Sequence, residues 1–308
     1  APPCHGAQPL TTGPRITTVE TGRLFRVLQS PRPITPTDVG IHYDRLDWFY
    51  RSFWGEHLHH GVWEAGDDHS VEEGTTRLLE LLLAPLEPGP GSRIIDIGCG
   101  YGADARRIAE QSGASVTGLT ISRSQAERAR REPAPGRGTV RIEQGDWLHN
   151  DFPDNSFDAG LAIESLAHMP DKEAFFGELH RVLVPGGRTA LACWTVPPDP
   201  STLEHLLLRH LCLEGTLPSL GTVENYCQFA ERADLAVVAC RDLTELVEPT
   251  WQLIARRILL ALPQPRFLGP SLGLALRRPP LVFSIPAMIL AYRTGALRYS
   301  AFWLENRS

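Results

Sequence analysis

Arg93-Ile94-Ile95-Asp96-Ile97-Gly98-Cys99-Gly100-Tyr101-Gly102 is a β-branched run that ends in an acid and then sets glycines at 98, 100 and 102. Such a run reads as a buried strand that turns sharply into the N-terminus of a helix. The glycines let the backbone take dihedrals closed to other residues and come close to a ligand. The helix that begins near Ala103 aims free N–H groups back at the same spot. The stretch therefore predicts a nucleotide-cofactor site.

Working outward, a helix over 103–112 ends at Gly113, and a second strand over 115–119 leads to Thr120-Ile121-Ser122-Arg123-Ser124-Gln125 and a charged helix through Arg131. A Pro/Gly-rich linker at 133–138 precedes a third strand, 139–144, which ends in Gly145-Asp146-Trp147. The turn 152–158 enters a fourth strand, 159–163, which delivers Glu164-Ser165-Leu166-Ala167-His168-Met169-Pro170-Asp171-Lys172. A helix over 178–185 and the turn Val184-Pro185-Gly186-Gly187 lead to a fifth strand, 188–194. This alternation specifies an α/β fold with a parallel, doubly wound sheet. Helices are expected over 201–213, 223–233, 251–262 and 280–292, a sixth strand over 235–243, and a closing antiparallel strand over 297–304.

Dinucleotide folds usually space their glycines as G-x-G-x-x-G and carry an acid roughly 20 residues on, at the end of the second strand. Here Asp96 precedes the glycines and the second strand ends in Thr120. The hydrophobic run followed by D-x-G-x-G-x-G resembles the first motif of the class I S-adenosylmethionine (SAM) methyltransferases. Ile41-His42-Tyr43-Asp44, Phe53-Trp54-Gly55-Glu56-His57-Leu58-His59-His60-Gly61, the Glu164-to-Met169 segment and residues 285–299 also resemble the tocopherol and related natural-product C-, N- and O-methyltransferases. The resemblance runs from about Ile41 to Gly187 and returns near the C-terminus. It implies a Rossmann-like seven-stranded sheet with an antiparallel last strand and helical lid insertions.

The resemblance also assigns parts. SAM is the implied cofactor, with Tyr43, Asp96, Gly98, Gly100, Thr120, Ser122, Gln125, Asp146, Trp147 and Glu164 as its expected contacts. In place of an acid on the ribose, Thr120, Ser122 and Gln125 offer neutral partners; Asp146 suits the exocyclic amine of adenine. Asp146 also reads as a turn cap and Trp147 as core. The implied domains are an N-terminal tail over 1–34, disordered or loosely packed, an aromatic helical segment over 35–90 that closes the site, and a core over 91–308. Lid insertions fall near 201–233 and 251–292, and Trp54, His57, Phe283, Met288 and Tyr292 are expected to line an acceptor pocket.

With 308 residues, 42% of them hydrophobic, the chain can bury a large core. A formal net charge of -6 and no basic block argue against nucleic acid as a partner. Lys172 is the only lysine beside many arginines, which suggests a GC-rich bacterial coding sequence. Six scattered cysteines without C-x-x-C pairs predict reduced cytoplasmic thiols. The N-terminus lacks the basic-then-apolar order of a secretion signal. The longest apolar stretch, 267–290, is broken by Arg277, Arg278 and prolines, so no stable membrane insertion is expected; a homo-oligomer is compatible with the pattern. His57, His59 and His60 lack a carboxylate or cysteine at ligand spacing, so no metal is expected.

The chemistry this implies is methyl transfer to a lipophilic small molecule in bacterial secondary metabolism, with carbon as the expected acceptor and nitrogen or oxygen as the alternative. For a carbon acceptor, an electron-rich ring or a prenyl-type alkene, Glu164 with a pKa raised by burial would take the proton among aromatic walls. For a nitrogen or oxygen acceptor, His168 is the better base. A non-catalytic SAM-fold binding protein and a dinucleotide oxidoreductase are the competing classes; the intact glycine turn counts against the first and the glycine spacing against the second.

Overall fold

The computed structural model describes residues 27–308. The expected tail falls outside the described residues up to position 26. From there the chain is tied down, because Leu28–Gln29 (β1) pairs antiparallel with Ser219–Leu220, and Leu28 and Ile34 are buried. The aromatic helix α1, Pro36–Phe53, starts at a reciprocal cap between Thr35 and Asp38 with a proline in its first turn. Helix α2, Val71–Leu83, starts at a second such cap, Ser70 with Glu73, and buries Leu78, Leu79, Leu82 and Leu83 on one face.

Next come β2, Arg93–Ile97, α3, Ala103–Ser112, and β3, Ser115–Thr120. Gly113 closes α3 at φ 77°, the left-handed cap its position predicts. They are followed by α4, Arg123–Ala129, β4, Thr139–Gln144, β5, Phe157–Ile163, α5, Lys172–Val182, and β6, Leu183–Thr195. The C-terminal third holds α6, Thr202–Glu214, the short β7, Ser219–Leu220, α7, Val223–Arg232, and β8, Leu235–Asp242. It continues with α8, Thr244–Val247, α9, Pro249–Ala261, α10, Pro265–Arg277, α11, Ser284–Thr294, and β9, Arg298–Asn306.

The sheet has seven strands in the order β4-β3-β2-β5-β6-β9-β8, and β9 runs antiparallel to both neighbours. The order reverses between β2 and β5, and in doubly wound sheets the carboxyl ends at such a reversal hold the ligand. That point lies between the glycine turn and Glu164. One face of the sheet packs α2 and α3 with Leu78, Leu82, Ile94 and Ile108; the other packs α5 and α7 with Phe175, Phe176, Tyr226 and Ala230. Helix α7 is therefore part of the core layer, which corrects the expectation that 201–233 is wholly lid. Its buried face, Tyr226, Cys227 and Ala230, recurs at helical spacing. Among the described residues no single helix is long and apolar enough to cross a membrane.

Candidate active site

The loop after β2 sets Gly98 at φ 85° and Gly100 at φ 54°, left-handed conformations that cost other residues strain. A Cβ at Gly98 would stand 2.4 Å from that of Ser165, so the turn needs glycine to lie against the end of β5. A Cβ at Gly100 would meet only Leu58, at 4.0 Å, and points into open space. That space is a cleft of about 740 Å³ over the carboxyl ends of β2, β3, β4 and β5.

Nine of the expected site residues line the cleft: Tyr43, Gly98, Gly100, Thr120, Gln125, Asp146, Trp147, Glu164 and His168. Helix α1 covers it with Pro36, Val39 and Tyr43, and is pinned there because Asp44 accepts from the Ser122 hydroxyl (2.6 Å) and the Ser124 N–H (3.0 Å). Ser122 is thus spent on capping α4 and anchoring α1, and does not line the cleft. Asp96 lies beneath the turn, buried, with Oδ2 unpartnered; burial and then nearby Asp104 hold its carboxyl well above the usual range. Asp146 caps the turn after β4 through the Leu148 N–H, and Trp147 is 2% exposed with its indole N–H on the Phe175 carbonyl, so both also serve the fold.

Glu164 closes β5 at φ 62°, an uncommon conformation for a non-glycine residue and one met at functional sites. Its Oε1 accepts three bonds: the His60 backbone N–H (2.7 Å), His60 Nδ1–H (2.7 Å) and the Tyr299 hydroxyl (2.9 Å). Burying a carboxylate costs several kcal/mol. Three bonds to an ionised acceptor return roughly 1.5–3 kcal/mol each, enough to win. Burial alone would push Glu164 up, but His60 brings it below the ordinary carboxylate range. This overturns the expectation of a raised pKa. His60 is held as a donor at Nδ1 because Trp251, whose indole can only donate, gives its N–H to Nε2 at 2.7 Å.

His168 sits on a one-turn 3-10 helix, Leu166–His168, tied down by Lys172, whose ammonium donates to the carbonyls of Leu166, Ala167 and Met169. The Nδ1–H of His168 donates to the Thr216 carbonyl at 3.1 Å, which leaves Nε2 as a lone pair facing the Tyr43 hydroxyl at 2.9 Å. Burial lowers the imidazole to about 4, so it is neutral at physiological pH. Tyr43 stays protonated, its phenol raised by burial and then by Tyr50, and donates.

The five residues expected to line an acceptor pocket do not line this cleft. Trp54 packs in an aromatic cluster against Trp251, ring centroids 5.2 Å apart. Met288 is buried in the main core, and the Tyr292 hydroxyl takes the Trp194 N–H. Phe283 is 64% exposed on the turn before α11. His57 turns toward the start of α3, where its Nδ1 lies 2.8 Å from Asp104 Oδ1.

Asp104 is the carboxylate missing from the linear histidine motif. Donor atoms of His57, His59 and Asp104 lie within 4.8 Å of one another, as metal ligands do. Both nitrogens of His59, however, face acceptors, the His60 carbonyl at 2.7 Å and Asp104 Oδ2 at 3.0 Å, and so both carry protons. Burial would lower this imidazole, but Asp104 raises it to about 9. The cluster is a buried ion pair that clamps the 57–60 segment to α3.

Residues 95–191 match a family model described as a methyltransferase domain. The chain is 36% identical over 225 residues to the 27-O-demethylrifamycin SV methyltransferase of Amycolatopsis mediterranei (strain S699), covering 72% of this chain and 82% of that protein. It is 34% identical over 234 residues to a probable tocopherol O-methyltransferase, chloroplastic, of Oryza sativa subsp. japonica, covering 70% and 64%. Among solved structures, the cyclopropane synthase MmaA2 of Mycobacterium tuberculosis superposes with a TM-score of 0.77 at 22% identity, over 90% of this chain and all of that one.

Proposed function

The chain belongs to the SAM-dependent methyltransferases, and from that premise we propose that it methylates a hydroxyl oxygen of a lipophilic small molecule, with His168 as the base. SAM supplies the methyl group as an electrophile and leaves as a neutral thioether. The cleft suits it: the open face of Gly100 gives backbone room for the methionine part, and the carboxylate of Asp146 with the neutral Thr120 and Gln125 offers partners for the adenosine. The orphaned Oδ2 of Asp96 sits under the same turn.

The observation that carries the oxygen reading is the fixed tautomer of His168. A neutral imidazole with Nδ1–H bound to a carbonyl presents Nε2 toward the cleft, ready to take a hydroxyl proton as the oxygen attacks. The Tyr43 hydroxyl holds that lone pair at 2.9 Å until an acceptor hydroxyl takes its place. The carbon reading asked for Glu164 as a base of raised pKa. With one oxygen occupied by three donors and its pKa lowered, Glu164 fits better as a fixed negative charge that would favour a bound sulfonium cation. The rifamycin and tocopherol relatives, both named for O-methyl transfer, support the same side.

The test is the pH dependence of kcat/KM. A base whose imidazole titrates at about 4 is deprotonated across neutrality, so the profile should stay level there and fall only as pH drops through about 4. An inflection at the ordinary 6.5 would show that the group taking the proton is not this buried histidine.

A further inference from the structure

We propose that the outer helices α9, α10 and α11 rest on the surface of an anionic lipid bilayer. Residues 249–294 contain six arginines and no aspartate or glutamate, in a chain whose formal net charge is -6. Among the described residues, eight of the twelve exposed large apolar side chains lie in the same stretch, from Leu259 to Leu290. Helix α10 buries none of its residues, and its exposed Leu268, Leu272 and Leu276 recur every four positions, which draws them into one line along the helix.

The arginines divide into two sets. Arg257, Arg278 and Arg293 face Glu72, Glu214 and Glu248 at 2.8, 4.0 and 3.8 Å and belong to the protein's own packing. Arg256, Arg266 and Arg277 are exposed and have no acidic partner among the described residues. A basic helix with a leucine line suits the boundary of headgroups and acyl chains, where leucines enter and arginines stay at the phosphates. The bend of 112° between α10 and the segment that follows keeps the pair from forming one continuous span, and short bent helices can lie flat. A second copy docking face to face would set arginine against arginine, so the charge disfavours self-association here. This docking is independent of which atom receives the methyl group.

The test is co-sedimentation of the full chain with phosphatidylcholine vesicles, with and without phosphatidylglycerol. Binding is expected only to the phosphatidylglycerol vesicles and should be lost in high salt. Reversing Arg256, Arg266 or Arg277 to Glu should weaken it at least about fivefold per position, and Leu272→Glu with Leu276→Glu should remove it. S-adenosylhomocysteine titration, unchanged in each variant, confirms an intact fold. No binding to the anionic vesicles, equal binding to neutral ones, or a dimer in sedimentation velocity that the same leucine changes dissolve would each overturn the proposal.

Discussion

His168→Ala lowers turnover on a hydroxyl acceptor by about 100- to 10,000-fold, the range for loss of a general base, while S-adenosylhomocysteine affinity stays nearly constant. The separation follows from the geometry. His168 bonds to the Thr216 carbonyl and the Tyr43 hydroxyl, and neither bond builds the glycine turn or the Asp146 side of the cleft. Glu164→Gln should cost less turnover than His168→Ala, since glutamine can still accept from His60 and Tyr299 and the proton does not go there. Steady-state kinetics with calorimetric titration measure both. An alanine variant as active as the parent would move the base elsewhere; a glutamine variant that loses far more would return the choice to carbon and Glu164.

Asp104→Ala destabilises the fold by about 3 to 5 kcal/mol, the usual result of removing one partner from a buried pair. The variant strands His59, which is 5% exposed at its side chain and pairs with Asp104 Oδ2. The pH dependence has a definite sign. The folded imidazole titrates at about 9 against an ordinary 6.5, so its contribution is complete below 6.5 and disappears as pH rises through about 9. Urea denaturation followed by tryptophan fluorescence should show the parent losing stability over that alkaline window and the variant nearly flat across it. A parent that is equally stable at both ends would remove the ion pair from the account.

What the sequence made legible was local. The β2 run, the glycines and the capped α3 are contiguous, and their pattern placed the glycine turn and the strands beside it to within a residue or two. The protonation of Glu164 was not legible, because its donors come from 104 and 135 residues away, His60 and Tyr299. Thr216, which fixes the tautomer of His168 from 48 residues away, gives no signal in a linear reading. The same distance hid Asp104 from the histidine motif. The acceptor-pocket residues rested on the family resemblance and on apolar side chains in the lid segments, and neither says which way a ring faces: Trp54 faces Trp251, and Phe283 faces solvent. Asp44 stood within a quoted motif, yet its bonds to Ser122 and Ser124 appear only when α1 is folded across α4.

The acceptor atom we propose is oxygen. SAM carrying a ¹³C methyl, incubated with the enzyme and a panel of lipophilic phenols and polyols, tests this by carbon NMR of the extracted product. With oxygen as the acceptor, the label appears as a methoxy carbon and the product lacks one hydroxyl. A label bonded directly to a ring or alkene carbon, with every hydroxyl intact, would contradict it.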